Sequence, residues 1–262
     1  MLIDTHAHLD FPEFEGEIDA VLTRAAQAGV QRIVTIGTSV ESSRRAIALA
    51  ECHPQIHAAV GIHPGSAAQA QPGDLDTLSA LARHPRVVAI GETGLDYYRL
   101  PGDDEDAAIK TAQTFLFQEQ LCLASELGLN IVIHQRGDCM EDTLRILAPF
   151  QGKLRAVFHC FGGSPETADA LIQAGHLVSF TGIVTFKNAP LMQASATSVP
   201  DGSYMVETDC PYLAPVPFRG KRCEPAYTRQ TAEKIALLRN QQLKQIAETT
   251  TATAEAFFRF SR

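Results

Sequence analysis

Eight short apolar runs alternate with longer helical segments along this chain. That alternation predicts an α/β fold, a (β/α)8 barrel of the TIM type. Two further observations select the closed barrel over an open, doubly wound sheet. Candidate polar ligands fall at the carboxyl ends of the first, fourth, fifth, sixth and eighth runs, and only a closed ring sets the first and last strands side by side. No glycine-rich phosphate fingerprint follows the first run, as a nucleotide-binding open sheet would carry. The 262 residues hold no low-complexity tract and no linker that marks a boundary, so one domain is expected over residues 1–262.

The first strand is expected near residues 2–6, led by Leu2-Ile3. A Phe11-Pro12 turn then precedes a helix near 15–28, which Gly29 stops. A strand near 32–36 and a helix near 40–51 follow, then a strand near 57–61 and a helix near 74–83. Val87-Val88-Ala89-Ile90 marks a strand near 86–91, ahead of a helix near 105–127 that Gly128 ends. Ile131-Val132-Ile133 marks the strand near 130–134, with a helix near 139–149 behind it. Ala156-Val157-Phe158 marks the strand near 155–159, and its helix is expected near 165–174. A strand near 176–181 leads to a helix near 188–196. Tyr204-Met205-Val206 then marks the eighth strand near 204–208, and two closing helices are expected near 226–238 and 242–258.

Composition excludes several classes. Residues are 45% hydrophobic and 20% charged, an ordinary balance for a soluble protein with a real core. No apolar stretch approaches the roughly 20 residues that span a bilayer, so no membrane association is expected. The start, Met1-Leu2-Ile3-Asp4-Thr5-His6, lacks the basic region and cleavage site of a secretory signal, and the expected compartment is cytoplasmic. Cysteines 52, 122, 139, 160, 210 and 223 form no CxxC pair, which reads as reduced thiols rather than a disulfide framework. The net charge of −8 argues against coating nucleic acid, which relies on neutralising many phosphates. It leaves room for an enzyme that engages a few nucleotides through metals and local arginines.

His6, His8, Glu92, His134, His159 and Asp209 are the candidate ligands. Four imidazoles and two carboxylates aimed at one point form the ligand set of a hydrolytic dinuclear centre. His6 and His8 lie two apart, so on a strand both face the same way, together with Asp4. Taken alone such a pair reads more readily as satisfied core or loop histidines; with four further ligands it reads as a metal grip. Glu92 follows a buried run, with Gly91 leaving room for close approach, and a carboxylate there can bridge two cations. The alternative for it is a surface or capping glutamate. His134 and His159 each close an apolar run, and a lone histidine in that place is more often structural than a ligand. Asp209 can bind one metal and take a proton from the attacking water, whose pKa a divalent ion brings toward 7. Glu207 alternates onto the face of Asp209, where it either orients a ligand histidine or forms a structural salt bridge.

The stretches Ile3-Asp4-Thr5-His6-Ala7-His8-Leu9-Asp10, Gly61-Ile62-His63-Pro64, Gly91-Glu92-Thr93-Gly94-Leu95-Asp96-Tyr97-Tyr98, Phe158-His159-Cys160-Phe161 and Val206-Glu207-Thr208-Asp209-Cys210-Pro211-Tyr212-Leu213 closely resemble the TatD family of metal-dependent deoxyribonucleases, a group of amidohydrolase-like metallo-barrels. The resemblance covers essentially the whole chain. It implies that the six candidates above bind the metals and that Glu92 stands where related barrels use a carboxylated lysine. Two positions depart from the family's pattern. Gln135 replaces a small hydroxyl residue before Arg136, and Cys223 replaces an asparagine in Arg219-Gly220-Lys221-Arg222-Cys223-Glu224-Pro225. A thiol hydrogen-bonds poorly beside an amide, so loop geometry or a substrate contact is at stake there.

The expected function is a hydrolase using two divalent ions (zinc, manganese or magnesium) to cleave phosphodiesters, as a 3′→5′ exonuclease on single-stranded DNA or oligonucleotides. Asp209 and Glu92 are the expected catalytic groups. His63 is expected either at the substrate or as a turn-stabilising residue, and Arg136 and Arg222, with Arg219 and Lys221 in the same basic cluster, either at the substrate phosphates or as solvated surface charges. Ester or amide hydrolysis on the same centre, such as deacylation of an aminoacyl-tRNA, is the alternative, and a metal-binding scaffold a third. Nucleic acid is expected as substrate and no obligate protein partner is inferred. Cys160 and Cys210 are expected as buried inert thiols. His53, His57, His84 and His176 are expected on the opposite rim, serving stability.

Overall fold

The computed structural model describes residues 1–260; residues 261 and 262 of the expected domain lie outside the described residues. Eight parallel strands run in sequential order: β1 (Leu2–Ala7), β2 (Val30–Ile36), β3 (Ile56–Val60), β4 (Val87–Asp96), β5 (Asn130–Arg136), β6 (Ala156–Phe158), β7 (Leu177–Phe180) and β8 (Tyr204–Val206). Between and after them lie α1 (Ile18–Gln27), α2 (Val40–Cys52), α3 (Asp74–Leu81), α4 (Asp106–Leu127), α5 (Met140–Leu147), α6 (Pro165–Gln173), α7 (Pro190–Ser198), α8 (Thr228–Arg239) and α9 (Leu243–Phe258). This is a (β/α)8 barrel of the TIM type.

The ring closes just beyond the end of β8. The Asp209 N–H donates to the His6 carbonyl (2.8 Å) and the His8 N–H to the Cys210 carbonyl (2.8 Å). The buried Asp4 carboxyl accepts from the Thr208 N–H (2.9 Å) and hydroxyl (2.6 Å), a second tie across the same seam. Closure therefore places Asp209 beside the two β1 histidines.

Two apolar layers support the ring. One lies between strands and outer helices. The other fills the barrel with Ile3, Val34, Ile36, Val88, Val132, Val157 and Met205, and Phe257 and Phe258 of α9 pack against it. Side chains repeat with period two on a strand. His134, His159 and Glu207 thus follow the inward-facing Val132, Val157 and Met205 by one pleat, toward the carboxyl ends.

The largest departure from the sequence-based boundaries is β4, expected to end at 91 and found to run to Asp96. Its extension pairs with β5, Gly94 opposite His134 and Asp96 opposite Arg136. Gly91 and Gly94 permit that approach. Both have left-handed φ (138° and 140°), and a Cβ on Gly94 would stand 2.1 Å from the His134 carbonyl oxygen. The short gap brings Glu92 and His134 into direct contact. No helix among the described residues is long and apolar enough to cross a membrane.

Candidate metal centre

All six expected ligands converge at the carboxyl-terminal mouth, around Glu92. Its two oxygens face different groups. Oε1 lies 2.7 Å from His134 Nδ1, 2.8 Å from His159 Nε2 and 3.6 Å from His63 Nε2. Oε2 lies 3.4 Å from His6 Nε2 and 3.8 Å from His8 Nε2. Asp209 Oδ1 completes the second group, 3.3 Å from His8 Nε2 and 3.7 Å from His6 Nε2. Ligand atoms of His6, His8 and Asp209 lie within 4.8 Å of one another, as do those of His63, Glu92 and His134 and those of His6, His159 and Glu207.

Neighbouring groups fix which ring nitrogen faces inward. His8 donates from Nδ1 to the Ile36 carbonyl (3.1 Å), leaving Nε2 for Asp209 and Glu92. His134 donates from Nε2 to Asp96 Oδ2 (3.2 Å), leaving Nδ1 for Glu92. His159 Nδ1 stands 3.6 Å from Glu207 Oε1, too long for a hydrogen bond but close enough for attraction. Glu207 is itself held by the Cys160 N–H (2.7 Å) and the Thr5 hydroxyl (3.4 Å). His6 is fully buried and both of its ring nitrogens lack a hydrogen-bond partner. Buried polar atoms without partners are costly, and the His6 Nε2 faces the Glu92 and Asp209 carboxylates, a set of N and O donors suited to a cation. The residues fit a metal centre.

Electrostatics point the same way. Burial pushes the Glu92 carboxyl up, yet the imidazoles of His159, His63 and His134 outweigh it and hold it well below its ordinary value. Burial likewise opposes ionisation of Asp209, and the bond from His8 with the nearby His6 and His159 rings keeps it low. Both carboxylates therefore stay charged inside a cavity full of imidazoles.

Outside the six, the sequence-based expectations fare unevenly. His63 reaches the centre: its Nδ1 accepts the Gly65 N–H (2.9 Å), so the ring proton sits on Nε2, pointing at the Glu92–His134 pair. Burial, with His134 and His159 nearby, lowers its pKa to about 4. Arg136 stacks over the Tyr98 ring at 4.3 Å, beside β5. Arg222 turns to the segment leading into α1, with its guanidinium on Glu17 (2.8 Å), on the Glu13 carbonyl and over the Phe14 ring at 4.9 Å. The next carboxylate, Glu224, is held there by Arg24 (2.6 Å), so this loop spends its charges anchoring itself. Arg219 instead lies over Phe186 at 3.7 Å, making one weak bond to a carbonyl.

The two departures from the resemblance are both accommodated. Gln135 donates to the Gly137 carbonyl (3.0 Å) and Cys139 Sγ (3.3 Å), inside its own turn. Cys223 is buried and its N–H donates to the Pro211 carbonyl (2.9 Å), so backbone ties that loop to the Asp209 turn. Cys210 is buried as expected; Cys160 is half-buried, and burial pushes its thiol up to about 12, which keeps it unreactive.

Two residues of the site escaped the sequence reading. Asp96 is the buried partner of His134, and the alternation Glu92, Gly94, Asp96 along one strand was the available signal. Phe11 stacks on the His8 ring at 4.7 Å and 17°, with no signal beyond its place in the first loop.

The comparison that decides the family is a profile described as TatD related DNase, which matches residues 3–259. The chain belongs to the TatD family. It is 39% identical over 262 residues to YabD of Bacillus subtilis, described as an uncharacterized metal-dependent hydrolase, with all of both chains covered. It is 35% identical to a Salmonella typhimurium protein named 3′-5′ ssDNA/RNA exonuclease TatD, with 98% of each covered. Among solved structures, the TatD homologue YjjV of Escherichia coli superposes with a TM-score of 0.90 at 32% identity, covering 98% of each chain. This TatD-family chain is a metal-dependent hydrolase.

Proposed function

We propose that the chain hydrolyses phosphodiester bonds with two divalent ions, as a 3′→5′ exonuclease on single-stranded DNA or oligonucleotides. The observation that carries this reading is Glu92, whose two oxygens face two separate ligand groups. Its carboxylate would be shared, with His134 and His159 completing one site and His6, His8 and Asp209 the other. When bound, two such ions would supply an activated water and offset charge on the non-bridging phosphate oxygens. Zinc, manganese and magnesium all suit nitrogen and oxygen donors of this kind.

Around the ions, each protein group has a defined part. Asp209, charged and 15% exposed at its side chain, is the group placed to take the proton from the attacking water. His63, with its Nε2 proton aimed inward, would donate to a phosphate or leaving-group oxygen. Asp96 would hold the His134 ring in register through its hydrogen bond, and Glu207 would attract the His159 ring from 3.6 Å. Arg136 and Arg219, neither in an ion pair among the described residues, would meet the strand's phosphates.

A substrate panel tests the reaction class: bis-p-nitrophenyl phosphate and oligonucleotides against esters and amides, each with metal-reconstituted protein. Phosphodiesters are expected to be cleaved; turnover of esters or amides alone would replace the reading. Asp209→Asn is expected to retain metal and lose turnover by about 10²–10⁴-fold, the usual range for a removed acid–base group. Full activity with normal metal content would remove Asp209 as the base.

A further inference from the structure

Two of the most exposed aromatic side chains stand at the mouth, one beside each ligand group. Tyr98 is 68% exposed and Tyr212 52% exposed. Each is joined to the centre through a single intervening group. The Asp96 carboxylate that holds His134 through Oδ2 accepts the Tyr98 N–H through Oδ1 (3.0 Å). Tyr212 donates its N–H to the Asp209 carbonyl (3.0 Å), and its ring packs edge-on against Phe11 (6.2 Å), which stacks on His8. Tyr98 follows the end of β4 and Tyr212 the end of β8, so both loops leave the carboxyl-terminal side of the ring.

Burying a tyrosine normally stabilises a fold, and an exposed one on a catalytic rim forgoes that gain. Tyr98 is backed on one face by the Arg136 guanidinium, and Tyr212 is braced by its edge contact with Phe11. Both leave aromatic surface open to solvent. An aromatic face with a neighbouring unpaired guanidinium is what single-stranded nucleic acid uses, the base stacking while the cation meets the phosphate. A base inside a duplex has both faces covered by its stacked neighbours.

We infer that Tyr98 and Tyr212 are stacking positions for the two unpaired nucleobases flanking the phosphate held at the metal centre. This rests on the phosphodiester reading above. It adds that the substrate is recognised by its bases, that duplex ends must fray before they enter, and that stacking acts on substrate affinity rather than on the chemical step.

The test compares a single-stranded oligodeoxynucleotide with one of equal length carrying two abasic residues at the cleaved end. Tyr98→Ala and Tyr212→Ala are each expected to raise KM for the intact strand by about tenfold, the usual loss for one stacked base, with kcat changing far less. Tyr98→Phe and Tyr212→Phe keep the ring and restore KM. On the abasic strand the alanine changes cost much less than on the intact one. Binding has its own signal: the chain has five tyrosines and no tryptophan, so a bound strand is expected to quench tyrosine emission, less in each alanine variant. Equal KM for wild type and alanine variants on the intact strand, or equal losses on both strands, overturns the stacking assignment. Wild-type protein that cleaves neither strand but hydrolyses esters or amides overturns the phosphodiester reading itself, and the stacking assignment with it.

Discussion

Glu92 holds one formal charge against five imidazoles, and its two oxygens face different groups. Glu92→Gln preserves its shape and removes that charge. It is expected to lose at least one metal equivalent per chain, read by elemental analysis after gel filtration, and unchanged stoichiometry would deny the carboxylate its bridging part. Asp4 shares a strand and a face with His6 and His8, yet it serves the seam rather than the centre, through Thr208. Thr208→Val removes one of those bonds in a buried place and is expected to cost ~1–3 kcal/mol of stability, read as a lower melting temperature with metal content intact. At this scale residue type and strand-end position made the six candidate ligands legible. Partners brought in by tertiary folding were not. Asp10 bonding Ser42, or Arg222 bonding Glu17 from 205 residues away, leaves no local trace in the sequence.

The helix α4 supports the site from outside the ring. Its buried Gln120 donates to the Ile62 carbonyl (3.0 Å) and Thr93 hydroxyl (2.7 Å) and accepts the Ile62 N–H (2.8 Å), gripping the residues beside His63 and Glu92. Gln113, two turns earlier on the same face, accepts the Asp96 N–H (3.0 Å) and donates to the Asp96 carbonyl (3.2 Å). One helix thus sets the height of three site residues. Gln120→Leu keeps the volume and strands the Ile62 N–H and carbonyl. The expected result is a fall in kcat on the order of tenfold to a hundredfold, from displacement of the His63 loop, with the fold retained. Unaltered kcat in a folded variant would show that the grip is only structural. Element positions were legible almost throughout, because hydrophobic runs and the stops at Gly29 and Gly128 are local signals. The extension of β4 was not: it depends on two glycines letting β4 and β5 touch, and on a glutamine from α4.

The two ends of the barrel divide the work. The carboxyl end carries the centre, and the amino end carries stability. His57 is buried there against Phe260 (4.7 Å), and burial together with Arg86 and Arg32 lowers its pKa to about 4. Its unfolded value is near 6.5. Above pH 6.5 neither state holds the proton, and as pH falls toward 4 the unfolded chain takes it up first. Stability is therefore full above 6.5 and is lost as pH falls to about 4. His57→Phe is expected to flatten this part of the profile: its stability relative to wild type should rise steadily from pH 6.5 to 4 in chemical denaturation. A constant difference over that range would exclude His57 as a contributor. The net charge of −8 bears on the whole molecule too, since it leaves only a few rim cations for an anionic strand. Affinity for oligonucleotides should fall with salt less steeply than for a protein that neutralises many phosphates.

The central claim is a phosphodiester-cleaving centre of two ions shared by Glu92. Its most direct test is to strip the protein of metal, then titrate Zn²⁺, Mn²⁺ or Mg²⁺ back against cleavage of a 5′-labelled single-stranded oligodeoxynucleotide. The account predicts a ladder shortening from the 3′ end whose rate rises to a plateau at two bound equivalents per chain. Full activity at one equivalent, or bound metal with no cleavage of the strand, would contradict it.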